Sequence, residues 1–201
     1  MSVQTRGRLL EAAKRVFSEK GYHEAQISHI INRAGVARGT FYLYFRSKEE
    51  IFKELLKEVV EELKKRIKVI NLSEDPLEQI TENIARVLDF TLEERELARI
   101  VLQRNSDPNL FFVIDKFFED ILEMIKGSLN KGILIGVIRP CNTELMARVI
   151  LGAVKETVSG FLDKEEDIDT YKIAKELVDF GVRGIWKTGR GGCYDRDNGA
   201  L

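Results

Sequence analysis

The sequence of 201 residues predicts an all-α protein with about nine helices. Apolar residues recur at the three- and four-residue spacing of helices that bury one face. Glycine, proline and helix-capping residues separate these stretches, as at Gly21, Gly35, Ser47 and Pro76. The spacing and these boundaries together predict three short helices at the start of the chain, followed by a set of longer ones.

The first three helices are predicted to form a helix-turn-helix unit. The first spans residues 4–20, and Gly21 ends it. The second is short and ends at Gly35, since glycine tolerates the left-handed conformation of a sharp C-terminal turn. The third spans residues 38–45. Two helices joined by a turn centred on glycine are typical of a helix-turn-helix.

The third helix has faces of different character on a helical wheel. Phe41 and Phe45 share the apolar inner face, and Gly39 and Leu43 form a slim outer face. The two flanks carry a guanidinium or hydroxyl groups, from the pairs Arg38 with Tyr42 and Thr40 with Tyr44. This layout suits a helix in the DNA major groove, with base edges at the outer face and phosphates at the flanks. We expect Leu43 to contact a thymine methyl group.

A long fourth helix is predicted over residues 48–70. Ser47 is a good N-cap, and Glu50 completes a capping box three residues later. Lys48 places a positive charge in the first turn, where it opposes the helix dipole. That placement is a misfit without DNA and favourable beside a phosphate. The helix joins the first part of the chain to the rest and is the natural lever between them.

The N-terminal third resembles the DNA-binding domain of the TetR family over about residues 3–63. The matching residues follow one another in order without gaps: Leu10-Glu11-Ala12-Ala13, Phe17, Gly21-Tyr22, Ala34 to Phe45, and Ser47-Lys48-Glu49-Glu50. The resemblance implies a bacterial or archaeal transcriptional regulator, in most cases a repressor that a small ligand releases from its operator. The implied DNA-binding residues are Arg38, Gly39, Thr40, Tyr42, Leu43, Tyr44 and Lys48.

Two positions depart from the family pattern at the start of the second helix. The family usually has Thr or Ser there as a cap that also touches a phosphate, whereas this chain has Ala25 and Gln26. Ser28 is the alternative N-cap, which would start the helix later. The family also commonly has Ala where Ile31 stands.

Five further helices are predicted in the remaining two thirds, over residues 76–92, 94–103, 108–131, 143–162 and 169–187. In the helix over residues 108–131, apolar residues occupy more than one face, which predicts that this helix is buried on several sides. We therefore predict a DNA-binding domain over 1–47, a helical ligand-binding and dimerisation domain over 48–187, and a flexible tail over 188–201.

The resemblance implies a ligand cavity in the second domain and a homodimer formed by the last two helices, which pair with their copies as a four-helix interface. The phenylalanine-rich sequence favours a hydrophobic effector, such as a fatty acyl compound or a lipophilic drug. The candidate ligand-binding residues are Phe90, Arg104, Phe111, Phe112, Phe118 and Met146. Arg86 and Gln103, with Arg104, are candidates to orient a polar group of the ligand.

Charge is divided unevenly along the chain. Residues 1–50 carry nine basic and five acidic side chains, so their net charge is +4 and the remainder carries −5. A basic head on an acidic body fits a protein that meets DNA with one end. The longest apolar run, over residues 133–138, is far too short to span a bilayer, and no signal peptide is evident. We therefore expect a cytoplasmic protein.

Catalysis and metal binding find no support in the sequence. Cys141 and Cys193 are far apart and are interpreted as reduced thiols, and neither His23 nor His29 has an obvious ligand partner. No nucleophile–base pair or phosphate loop is recognisable, so we expect neither an enzyme nor a cofactor. Two alternatives to a repressor stay open. They are a transcriptional activator of the same fold and a helical adaptor without specific DNA binding, although the aromatic and basic flanks argue against an adaptor.

Overall fold

The computed structural model describes residues 3–102, 108–162, 164 and 168–183. Nine α-helices make up the secondary structure of these residues, in agreement with the predicted all-α fold. Their bounds are α1 Val3–Glu24, α2 Ile27–Ala34, α3 Arg38–Tyr44, α4 Lys48–Arg66, α5 Pro76–Glu93, α6 Arg95–Leu102, α7 Pro108–Leu134, α8 Thr143–Phe161 and α9 Thr170–Arg183.

Helices α1 to α3 and the first turns of α4 form most of one apolar core, which we call the head core, and residues of α6 and Leu110 of α7 complete it. Its aromatic members are fully buried, and Phe17 packs against Tyr22 and Phe52 with ring centroids 5.5 and 5.3 Å apart. Ile51 and Leu55 of α4 belong to the same core. The head is therefore completed by α4, beyond the predicted domain end at residue 47.

Helix α1 is interrupted at Gly21, as the sequence predicts. This glycine has a φ of 70° and a ψ of 169°, a backbone conformation that L side chains rarely adopt. The chain then resumes for one more turn and directs Tyr22 into the head core, where its side chain is 2% exposed.

The start of α2 differs from the predicted alternative. Gln26, and not Ser28, is the N-cap residue. Its backbone N–H donates to Nδ1 of His29 at 3.2 Å, and the Ser28 hydroxyl donates to Oε1 of Gln26 at 3.2 Å. His29 is half-buried, and its Nδ1 accepts the hydrogen bond that caps the start of α2.

Helix α4 begins as predicted, because the Ser47 hydroxyl accepts from the backbone N–H of Glu50 at 3.2 Å. It ends at Arg66 and not at Ile70. The cause is a tertiary contact with Asn83 of α5. The backbone N–H of Lys68 donates to Oδ1 of Asn83, and Nδ2 of Asn83 donates to the carbonyl of Lys68, each at 2.9 Å. The backbone groups that would continue the helix are thus bonded elsewhere.

The remaining helices form a body in which α5 packs on α9, and α7 packs on both α8 and α4. Helix α7 is less buried than predicted. Leu110 and Ile121 are buried, but Phe111 and Phe112 are 57% and 71% exposed. The apolar residues that extend beyond one stripe of this helix therefore lie partly at the surface.

Several predictions concern residues outside the described part of the chain. These are the flexible tail over 188–201, the end of the last helix beyond Arg183, Cys193, and the ligand candidates Gln103 and Arg104. Along the described residues, none of the helices combines the length and the apolar character needed to cross a membrane.

Candidate functional site

Helix α3 presents to solvent the face that the helical wheel assigns to DNA. Leu43 is 66% exposed and Tyr42 is 45% exposed, whereas Phe41 and Phe45 are buried in the head core. Arg38 and Gly39 are exposed, and Thr40 and Tyr44 lie half-buried at the flank. The Arg38 guanidinium lies 6.0 Å from the Tyr42 ring centroid, so both side chains extend from the same flank.

The turn between α2 and α3 is held by a residue that the sequence did not reveal. Gly35 has a φ of 63°, and the N–H of Val36 donates to the carbonyl of Ile31 at 3.2 Å. The Arg8 guanidinium donates to the carbonyl of Ala34 at 2.5 Å and thereby satisfies the end of α2. Arg8 comes from α1, 26 residues away, and fixes the turn against the first helix.

A second contact fixes α2 against α1. The Arg33 guanidinium donates through both terminal nitrogens to the Glu19 carboxylate, at 2.5 and 2.6 Å. These bonds hold the pKa of Glu19 below its usual value. The contact is exposed, so it adds little stability on its own, but its bidentate geometry restrains the orientation of the two helices.

Lys48 is not the misfit that the sequence predicts. Its ammonium donates to the carbonyl of Tyr22 at 2.8 Å and lies 4.3 Å from the Tyr22 ring centroid. Carbonyl groups at the end of α1 thus compensate the charge that opposes the α4 dipole. The Lys48 side chain is half-buried and therefore still partly accessible to a DNA phosphate. A phosphate contact by Lys48 stays a prediction.

The body contains an apolar cavity of about 600 Å³. Its wall is built from α4 to α8 and from the chain segments that follow α4 and α7. Side chains with aliphatic or aromatic groups dominate it. A cavity of this size with few polar groups is typical of a site for a small apolar ligand.

One end of the cavity, which we call the head end, touches the head core. Leu56 of α4 and Leu97 and Val101 of α6 line the cavity and also belong to the head core. At the far end lie residues that follow α4 or end α7, among them Val69 and Ile135. Val69 is 94% exposed, so the cavity reaches the protein surface there.

A tight reversal of the chain after α7 forms one wall of the far end. The N–H groups of Val137 and Ile138 both donate to the Gly132 carbonyl, at 2.9 and 3.0 Å. A Cβ at position 132 would lie 2.6 Å from Cδ1 of Ile138. Because all three residues line the cavity, the missing side chain of Gly132 lets Ile138 fold back over the end of α7.

The charged side chains of the cavity wall are mostly basic. The described lining residues include four lysines and one carboxylate, Glu94. Glu94 forms an ion pair with Lys14 of α1. The lysines are Lys64, Lys68, Lys131 and Lys155, and the Lys155 ammonium lies 4.6 Å from the Phe118 ring centroid. The wall therefore favours a ligand that joins an apolar part to an anionic group.

The structure separates the predicted ligand-binding residues. Phe90 and Phe118 line the cavity. Phe111, Phe112 and Met146 lie outside its lining. Phe111 and Phe112 are exposed on α7, and Met146 lies near the start of α8. Arg86, the candidate for orienting a polar group, is bonded to Glu82 and Asn83 on its own helix. Among the described residues, no cluster of His, Cys, Asp and Glu could hold a metal ion.

A helix-turn-helix head joined to a helical body with an apolar cavity defines a ligand-responsive, DNA-binding transcriptional regulator. The profile of the bacterial regulatory proteins of the tetR family matches residues 9–55. A second profile, the C-terminal region of YsiA-like proteins, matches residues 52–184. The chain belongs to the TetR family.

Individual relatives are similar over most of their length. The fatty acid metabolism regulator protein of Bacillus subtilis is 31% identical over 88% of this chain and 93% of its own length. A crystal structure of the transcriptional regulator FadR from Bacillus subtilis, in complex with stearoyl-CoA, superimposes with a TM-score of 0.73 at 29% identity. That alignment covers 90% of this chain and 99% of the FadR chain. The transcriptional repressor KstR2 of Mycobacterium tuberculosis is 29% identical over 72% of this chain and 75% of its own length.

Proposed function

We propose that this regulator is a repressor that leaves a two-fold operator when a long-chain fatty acyl-CoA binds in the body cavity. The observation that carries the proposal is the apolar cavity with lysines in its wall. An acyl chain fits the apolar part, and the phosphates of coenzyme A are the anionic partner that lysines would attract. The similarity to FadR, whose crystal structure contains stearoyl-CoA, supports this class of ligand.

The dimensions of the cavity favour a long chain over a short one. Its lining on α7 extends from Phe117 to Lys131, a rise of about 20 Å along a helix. A small compact effector would leave much of that length empty and would gain less from apolar burial. We therefore expect affinity to rise with the length of the acyl chain.

Operator binding is assigned to the head, residues 1–47 with the first turns of α4, and ligand binding and dimerisation to residues 48–187. Two recognition helices of a symmetric dimer would meet successive major grooves. Exposed apolar side chains on α8 and α9 support pairing of these helices with a second copy. They include Leu145, Val149, Phe180 and Val182, which are each more than 50% exposed.

The experiment that tests this function is a binding assay with the purified protein, its own upstream DNA and a random duplex, at two salt concentrations. Tight binding with a preference for the upstream DNA supports a specific regulator, and loss of that binding on addition of stearoyl-CoA supports the effector class. Octanoyl-CoA and free coenzyme A are the matched controls, because they shorten or remove the chain and keep the phosphates.

The outcomes separate the parts of the proposal. Equal, weak and strongly salt-dependent binding to both DNAs would contradict a specific operator in the upstream region. Specific binding that stearoyl-CoA leaves unchanged would contradict the effector. A reporter gene whose expression falls when the chain is deleted would contradict repression and favour an activator.

A further inference from the structure

An ion pair links the head directly to the wall of the cavity. Lys14 lies on α1, and Glu94 occupies the junction between α5 and α6, 80 residues later in the chain. The Glu94 side chain is 18% exposed and the Lys14 side chain 36% exposed. A carboxylate so largely withdrawn from water depends on its partner more than a surface carboxylate does.

This pair differs from the ion pairs between α1 and α4. Arg6 of α1 contacts Glu54 at 2.5 Å and Glu58 at 3.9 Å, but neither glutamate lines the cavity. Glu94 is the one carboxylate among the described lining residues. The pair of Lys14 with Glu94 thus joins the surface that a ligand would touch to the first helix of the head.

The apolar surroundings of Glu94 connect the same two regions. Leu97 follows Glu94 by one turn of α6, and Val101 follows Leu97 by another. Both line the cavity and pack in the head core. A chain that fills the head end of the cavity would press on the face of α6 that carries these residues, and α6 also contacts α1.

We propose that the pair of Lys14 with Glu94 is the contact through which ligand in the cavity changes the position of the head. The inference rests on the proposed function, because it requires a ligand that acts from the cavity. Filling the head end displaces the junction of α5 and α6 from α1 and separates the pair. The pair is formed in the protein without ligand and broken when ligand fills the cavity. This difference couples the two sites, because an interaction of equal strength in both states could not change the affinity for DNA.

The test measures how strongly stearoyl-CoA weakens operator binding, as the ratio of the operator dissociation constants with and without saturating ligand. Lys14→Met and Glu94→Gln should each lower this ratio by about fivefold or more. Lys14 does not line the cavity, so Lys14→Met removes no contact with the ligand. The dissociation constant of stearoyl-CoA for the DNA-free protein should therefore stay equal to that of wild type or fall, because the ligand no longer has to separate the pair. The double variant Lys14→Glu/Glu94→Lys, which reverses the pair, should restore the ratio.

Glu93→Gln is the matched control. Glu93 is the next residue in the chain and pairs with Arg66 of α4 at 2.7 Å. The charge of Lys14 also acts on it, but more weakly than Arg66 does, and Glu93 does not line the cavity. The same substitution there should leave the ratio unchanged. Melting temperatures of all variants establish that each one is folded.

The results distinguish this inference from the function on which it rests. A wild-type protein that binds stearoyl-CoA without releasing the operator contradicts the proposed function and overturns the inference with it. A wild-type protein that releases the operator, with a Lys14→Met variant that releases it equally well, overturns the inference alone. Failure of the reversed pair to restore the ratio also overturns it, because Glu94 would then act through the ligand and not through Lys14.

Discussion

The head and the body of this protein bury their apolar residues in opposite ways. Nine of the ten largest side chains with almost no exposure precede residue 53, and the tenth, Leu110, packs against the head core. The body instead surrounds a cavity of about 600 Å³ and leaves apolar residues of α8 and α9 at the surface. The head has the packing that holds a fixed shape, and the body keeps room for partners.

This difference in packing matches two functions of the same chain, DNA recognition by the head and ligand response by the body. DNA recognition needs side chains on α3 to stay in register with the groove, and dense packing beneath them supplies that rigidity. Ligand response needs an element whose two arrangements differ little in free energy, and a loosely filled body supplies it. Variants that act on one region and leave the other unchanged test this division.

The largest effect is expected for the removal of a packed aromatic ring. Phe52→Ala in the head core should lower the free energy of unfolding by about 3–5 kcal/mol, because the ring is fully buried and leaves a void. Phe118→Ala in the cavity wall should lower it by about 1 kcal/mol, because the ring already borders empty space. Urea unfolding followed by circular dichroism measures both, and equal losses would contradict the comparison.

A smaller effect is expected on α3, where the two exposed faces should respond differently. Arg38→Ala should weaken binding to specific and random DNA alike and reduce the salt slope by about one. Leu43→Ala should lower the preference for the operator by about 1–2 kcal/mol and leave random binding nearly unchanged. Fluorescence anisotropy at several salt concentrations separates them, and a uniform loss for Leu43→Ala would remove it from base recognition.

Gly35 and Gly39 of the head provide a matched pair of substitutions. The larger expected change in the free energy of unfolding, at Gly35, is about 1 kcal/mol. Gly35→Ala should destabilise the protein by about that amount, because φ is 63° and a Cβ would lie 3.3 Å from Nη2 of Arg8. Gly39→Ala meets no atom within 4 Å and should stabilise α3 slightly. It should nevertheless weaken operator binding, because the added methyl group would lie on the outer face of α3 that we predict to meet the DNA. Thermal melts and operator titration of the two variants test both expectations.

The smallest effect is expected at Glu58, whose pKa is raised by burial beside α1, while Arg6 opposes the rise. Because the folded protein holds this proton more tightly than the unfolded chain, stability should fall as pH rises through and above 4.5. Glu58→Gln removes that dependence. The free energy of unfolding of the variant, relative to that of wild type, should therefore be higher at pH 7 than at pH 4, by about 0.5 kcal/mol or less. Urea unfolding midpoints of the variant and of wild type at the two pH values measure this difference. A variant that is stabilised more at pH 4 than at pH 7 would contradict the prediction.

The sequence predicted most where local rules decide the structure. The helical wheel of α3 separated the buried Phe41 and Phe45 from the exposed Leu43, and the capping box located the start of α4. Contacts between distant segments were beyond such rules. The amide of Asn83 ends α4 early, and carbonyl groups at the end of α1 satisfy Lys48.

The candidate ligand residues were predicted less well for the same reason. Composition identified α7 as rich in phenylalanine, but it could not show that Phe118 faces the cavity while Phe111 and Phe112 face solvent. Four lysines of the wall come from three helices and a connecting segment, and no single stretch of sequence reveals them as a group. Only the packing of the helices assembles that surface.

The shape of the cavity wall at Gly132 has a consequence for how regulators of this kind diversify. Ile138 occupies the space that a side chain at position 132 would need, so one methyl group there would force the end wall to move. The predicted DNA-contact residues belong to α3 of the head, whereas Gly132 belongs to α7 of the body. Under the proposed function, we therefore expect mutations at position 132 to change which acyl chain lengths are sensed and to leave the predicted DNA-binding helix, and with it the set of controlled genes, unchanged.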